Sequence, residues 1–125
     1  MDAGPFKLAQ ISFIMLGVEK VARSKAFYCE KLGLAVKFEF EAFVFLDGGG
    51  VTLMLSESLG RAAKPLAGAT EIVFGVSEVR AAHRALAARG IVFTQEPRQV
   101  TPTDWAANFN DPDGHRLSVY GPEGK

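Results

Sequence analysis

The sequence predicts an α+β domain made from two copies of one βαβββ unit. Three observations carry this prediction. Two stretches of similar length show the same order of apolar strands and a single helix. Short blocks of residues recur between the two stretches at nearly constant offsets. The strands alternate in character, so each has one uniformly apolar face.

Gln10–Gly17, rich in Ile, Phe, Met and Leu, reads as the first strand. Val21–Leu32 reads as a helix, with Val21, Ser24, Phe27 and Tyr28 near one face and Gly33 placed to stop it. Leu34–Phe40, Ala42–Asp47 and Val51–Ser56 follow as strands, the last two joined by a Gly48-Gly49-Gly50 turn. The order then repeats. Thr70–Val76 is a strand, Val79–Arg89 a helix stopped by Gly90, and Ile91–Thr94, Trp105–Asn110 and His115–Tyr120 are strands. Asp111-Pro112-Asp113-Gly114 has the composition of a tight reversal. Module one is expected over 10–56, a linker over 57–69 and module two over 70–121.

The repeat shows residue by residue. Gly17-Val18-Glu19-Lys20-Val21 recurs 58 residues on as Gly75-Val76-Ser77-Glu78-Val79. Gly33 recurs after 57 residues as Gly90. Phe45, Asp47, Gly50, Leu53 and Leu55 align 64 residues on with Phe109, Asp111, Gly114, Leu117 and Val119.

Composition narrows the function. At 125 residues the chain fits one domain. Fourteen basic and fourteen acidic side chains cancel, which gives no electrostatic case for nucleic acid or an anionic membrane. No apolar run approaches the roughly 20 residues that span a bilayer. Met1–Ala9 does not read as a signal peptide. The single cysteine, Cys29, has no internal partner and fits a reduced, cytoplasmic setting. It reads as a structural thiol.

Splitting each strand by alternation separates two faces. Ile14, Leu16, Val51, Leu53, Leu55, Ile72, Phe74, Val76, Leu117 and Val119 form an apolar set that should pack against the helices. Phe13, Met15, Thr52, Met54, Ser56, Glu71, Val73, Arg116, Ser118 and Tyr120 form a mixed set. That mixture suits either a concave binding surface or a face covered by another subunit.

Three segments resemble the vicinal oxygen chelate superfamily of glyoxalases, extradiol dioxygenases, fosfomycin-resistance enzymes and bleomycin-binding proteins. They are Leu16–Ser24 running into Ala26-Phe27-Tyr28, then Leu32-Gly33-Leu34, and Asp111-Pro112-Asp113-Gly114-His115. The resemblance spans about Gln10 to Tyr120. It implies paired modules whose sheets curve around a cavity holding a divalent metal. Its ligand positions fall here on Phe13, Met54, Glu71 and Ser118. Of these, only Glu71 suits a hard ion. No metal ligand set and no cofactor are therefore expected.

Glu71 is left as a weak catalytic candidate, a general base if burial raised its pKa; the plainer alternative is an ion pair with Arg116. Trp105, in a polar segment before the last hairpin, either stacks on a flat ligand or caps the barrel edge or a dimer seam. The expected protein is a homodimer that binds a small, partly aromatic ligand without a metal, in the manner the bleomycin-binding branch implies. Its pocket would be lined by Phe13, Met15, Phe45, Met54, Glu71, Trp105, Arg116, Ser118 and Tyr120. The alternative is a metal-dependent lyase or dioxygenase of the glyoxalase type.

Overall fold

A computed structural model describes Leu8, residues 10–63 and residues 70–125. The reading of Met1–Ala9 and the later part of the expected linker thus fall largely outside the described residues. Module one runs β1 (Ile14–Gly17), α1 (Val21–Ala26), a π-helical turn (Phe27–Lys31), β2 (Ala35–Phe40), β3 (Phe43–Asp47) and β4 (Thr52–Ser56). After α2 (Glu57–Ala62), module two runs β5 (Glu71–Gly75), α3 (Val79–Ala88), β6 (Phe93–Gln99), β7 (Trp105–Asn110) and β8 (Arg116–Gly121). Each module forms its own four-stranded sheet, ordered β1-β4-β3-β2 and β5-β8-β7-β6. In each, the first and last strands pair parallel and the other neighbours antiparallel. Among the described residues the two sheets share no strand pairing and do not close into a barrel.

Three local features differ from the sequence reading. The expected linker begins as a helix, because Ser56 Oγ accepts from Leu59 N at 3.0 Å and caps α2. Strand β6 runs on past Pro97, which an edge strand with shifted register tolerates. The repeat is also offset differently within one strand. Phe45 pairs with Met54 on the mixed face, whereas Phe109 pairs with Leu117 on the apolar face. The β7–β8 turn is one residue longer than the β3–β4 turn, so the structural counterpart of Phe45 is Asn108, not Phe109.

The apolar faces meet in one core shared by both modules. Leu16, Leu53 and Leu55 from the first sheet join Phe109, Leu117 and Val119 from the second, with Tyr28, Val79 and Leu86 from the helices. Each fully buried side chain of this size contributes roughly 1.5–3 kcal/mol. The sequence motifs that stand out most are the fastenings between modules. Tyr28 is wholly buried, and its Oη donates to Asp111 Oδ2 at 2.8 Å. Asp113 accepts from Glu19 N, Ser24 Oγ and Arg23. His115 Nε2 donates to the Gly17 carbonyl at 2.8 Å.

Burial, reinforced by the Asp111 charge and hydrogen bond, pushes the Tyr28 phenol far above its ordinary value. The unfolded phenol ionises near pH 10 while the folded one stays neutral. Tyr28 therefore adds stability that is complete below about pH 10 and declines as pH rises further. Denaturant midpoints measured from pH 8 to 11 should fall above pH 10 in the native chain, and less steeply in Tyr28→Phe.

The chain crosses itself closely at matching points of the two modules. Beyond β4 it passes over Val18, and at the end of β8 over Val76, the repeat counterpart of Val18. A Cβ at Gly60 would lie 2.2 Å from the Val18 carbonyl oxygen, and one at Gly121 2.0 Å from that of Val76. Gly60→Ala should thus cost about 1–3 kcal/mol by forcing the backbone apart, read as a lowered urea midpoint. The segment after Gly121 also completes α3, whose N-cap residue Glu78 makes no side-chain cap. Val79 N and Arg80 N donate instead to the carbonyls of Pro122 and Glu123. Among the described residues no helix is long and apolar enough to cross a membrane.

Candidate functional site

With both apolar faces turned into the shared core, the mixed faces lie on the outside, one on each module. On module one, Met15, Phe45 and Met54 share a sheet face, and Phe13 stands just before β1 against Phe45. Phe13 meets Phe45 edge-on at 5.4 Å between centroids, and Phe38 lies 6.0 Å from Phe45. Phe38 and Phe40 are 58% and 57% exposed, and Phe13 and Met15 about 40%. A groove of about 400 Å³ runs between Ser12, Phe13, Lys37, Phe38, Phe45 and Thr52. Its single charged lining residue is Lys37, whose Nζ donates to Thr52 Oγ1 at 2.8 Å. Alternation alone misses Phe38 and Lys37. A register shift between Val36 and Phe38 moves both out of simple alternation.

The face on module two is polar. Glu71 pairs across with Arg116, Val73 with Ser118, and Ser118 with Asn108. Arg116 donates through Nε to Glu71 Oε1 at 2.5 Å and through Nη2 to Gln95 Oε1 at 3.3 Å. Partial burial pushes the Glu71 pKa up. Hydrogen bonds from Arg116, Ser118 and Asn108, with the guanidinium charge, outweigh it and hold the carboxyl below its ordinary value. Glu71 is thus an ionised partner of Arg116 and lacks the raised pKa a general base at neutral pH would need. Asn108 is buried beside this pair and donates to the Leu117 carbonyl at 3.2 Å, while its Oδ1 has no partner. Tyr120 stands further along the same face, with Oη donating to Asp104 Oδ2 at 3.2 Å.

Trp105 is not with these residues. It pairs with Gly121 and alternates in phase with Ala107 and Phe109, on the core side of the sheet. The Arg80 guanidinium lies 4.9 Å over its ring, and Arg80 Nε donates to Glu123 at 2.7 Å. The ring seals the N-terminal end of α3. Within one chain, Phe13, Glu71 and Trp105 therefore stand on different faces. The expected lining residues divide into an aromatic half-site and a polar half-site on different modules, with Trp105 in neither.

The positions where the resemblance implies a metal do not fit one. Phe13 offers no donor, Met54 is a buried thioether, and the Glu71 carboxylate is committed to Arg116. The histidines stand elsewhere: His83 on Glu96 at 2.6 Å and against Phe93, His115 on Gly17. Among the described residues, no three His, Cys, Asp or Glu side chains cluster as a cation site. Cys29 is half-buried, and burial pushes its thiol up, away from nucleophile chemistry.

The sequence profile of the Glyoxalase/Bleomycin resistance protein/Dioxygenase superfamily matches residues 10–119. The chain belongs to that superfamily. Solved structures of the superfamily fold agree with it. A glyoxalase/bleomycin resistance protein/dioxygenase from Nocardioides superposes with TM-score 0.78 at 23% identity, over 98% of this chain and 92% of that one. TnmS3, an antibiotic binding protein from Streptomyces sp. CB03234, gives TM-score 0.73 at 21% identity, over 94% and 98%. A lactoylglutathione lyase from Agrobacterium tumefaciens gives 0.73 at 16% identity, over 90% and 93%. A comparison with curated protein sequences finds no match. This fold thus carries both a binding protein and an enzyme, and the choice between such roles rests on the residues of the two half-sites.

Proposed function

We propose that this superfamily member is a cytoplasmic small-molecule-binding protein that acts as a homodimer and needs no metal. The observation that carries the reading is the pair of open half-sites of complementary chemistry on the outside of one chain. The aromatic groove of module one offers apolar area to a flat ligand, and the Arg116–Glu71 face of module two offers hydrogen bonds. In a two-fold dimer, module one of each protomer would cover module two of its partner and make two equivalent sites. The same contact would bury Phe38 and Phe40, large exposed apolar side chains of the kind that mark interaction surfaces. The likeness to an antibiotic binding protein is consistent with a binding role for this chain.

The test is binding of flat aromatic ligands to the purified protein before and after exhaustive chelation. Affinity should be unchanged by chelation. Glyoxalase and ring-cleavage assays with added Ni²⁺, Zn²⁺, Mn²⁺ or Fe²⁺ should stay at the buffer baseline. A stoichiometric divalent ion whose removal abolishes binding, or turnover restored by one of these ions, would overturn the proposal.

A further inference from the structure

Resting on the binding role above, we infer that the ligand carries a carboxylate, held by the guanidinium of Arg116 opposite the Phe13–Phe38–Phe45 groove. The resemblance implies a metal cation beside the positions of Glu71 and Ser118; here a fixed cation, Arg116, pairs across the strands from Glu71. Arg116 has five N–H donors, of which Glu71 and Gln95 take two, leaving three without a partner among the described residues. Its side chain is 36% exposed, so those donors are reachable from the mixed face.

Glu71 sets the direction of that fork. Its carboxylate takes Nε, on a sheet face it shares with Ser118 and Asn108. Holding the Nε side leaves the terminal N–H groups of the guanidinium for a second, planar acceptor. Two charges favour a monoanion. Glu71 already offsets part of the Arg116 charge, which disfavours a doubly charged phosphate. On the other half-site the groove's charged lining residue is also a cation, Lys37. Aromatic rings on one side and guanidinium on the other match an aromatic carboxylic acid.

The probe is naphthoate, compared with its neutral amide and with inorganic phosphate, by calorimetry on the full chain at neutral pH. The native chain should prefer naphthoate to the amide by at least about tenfold, as one charge-assisted contact implies. Arg116→Gln should erase that preference, so that naphthoate binds no better than the amide. Arg116→Lys should keep part of it, because a point charge replaces the fork. Naphthoate and amide binding equally well would overturn the carboxylate inference yet leave the binding role standing. Phosphate displacing naphthoate at equal concentration would also overturn it. Neither aromatic probe binding would overturn both. The native-chain comparison decides even if Arg116→Gln fails to fold.

Discussion

Asp111→Ala should come close to unfolding the protein. The carboxylate accepts from the buried Tyr28 hydroxyl at 2.8 Å and from the backbone of Asp113 and His115 at 2.9 and 2.8 Å. Alanine removes all three bonds and leaves a wholly buried hydroxyl unpaired. Each unsatisfied buried group costs about 1–3 kcal/mol, so a total of about 3–5 kcal/mol is expected. That is a large share of a stability of roughly 5–15 kcal/mol. The turn also carries Asp113, which fastens Arg23 and Ser24, so its loss loosens one module from the other. Chemical denaturation should show a lowered midpoint and a broader transition as the modules cease to unfold together. Tyr28→Phe should cost less, since it leaves the turn's backbone bonds in place. An Asp111→Ala chain within 1 kcal/mol of native, well below the estimate, would show that the modules hold by apolar packing alone.

Phe38→Asp should separate the dimer while sparing the fold. Phe38 is 58% exposed in the single chain, so its replacement removes little from the core. At the proposed subunit contact the same ring would be buried beside Phe13 and Phe45. Losing an aromatic anchor costs about 2 kcal/mol or more, and desolvating a carboxylate adds several more. Sedimentation at micromolar concentration should show dimer for the native chain and monomer for the variant, with matching far-ultraviolet circular dichroism. A variant that stays dimeric would place the subunit contact on another surface.

The position of Phe38 also marks how far the sequence could be read. Leu16, Leu53, Leu55, Leu117 and Val119 were separable from Met15, Met54 and Ser118 by period alone, because one apolar face per sheet must be buried. The βαβββ order followed from the same signal and from the repeat. Trp105 escaped that reading. The sequence starts a strand at Trp105 but leaves open whether the ring meets a ligand or caps an edge; pairing with Gly121 turns it beneath Arg80. Phe38 and Lys37 escaped because a register irregularity leaves no trace in a period of two. The relation between the faces was hidden for another reason. Alternation assigns a residue to a side of its own sheet and carries no information on how two sheets are placed. That placement depends on Tyr28, Asp111, Asp113 and His115, which read in the sequence as motif residues without a stated task.

Subunit mixing tests the composite site most directly. Phe45→Ala removes the aromatic half-site, and Arg116→Gln removes the polar one. Each variant alone should bind naphthoate weakly. If the half-sites meet across the dimer, a mixed dimer contains one site with both halves native and one with both altered. Random exchange makes half the dimers mixed, so an equal mixture should recover about a quarter of the native sites at native affinity. A mixture that binds no more than the two variants measured separately, although exchange has occurred, would show that the halves do not meet across subunits.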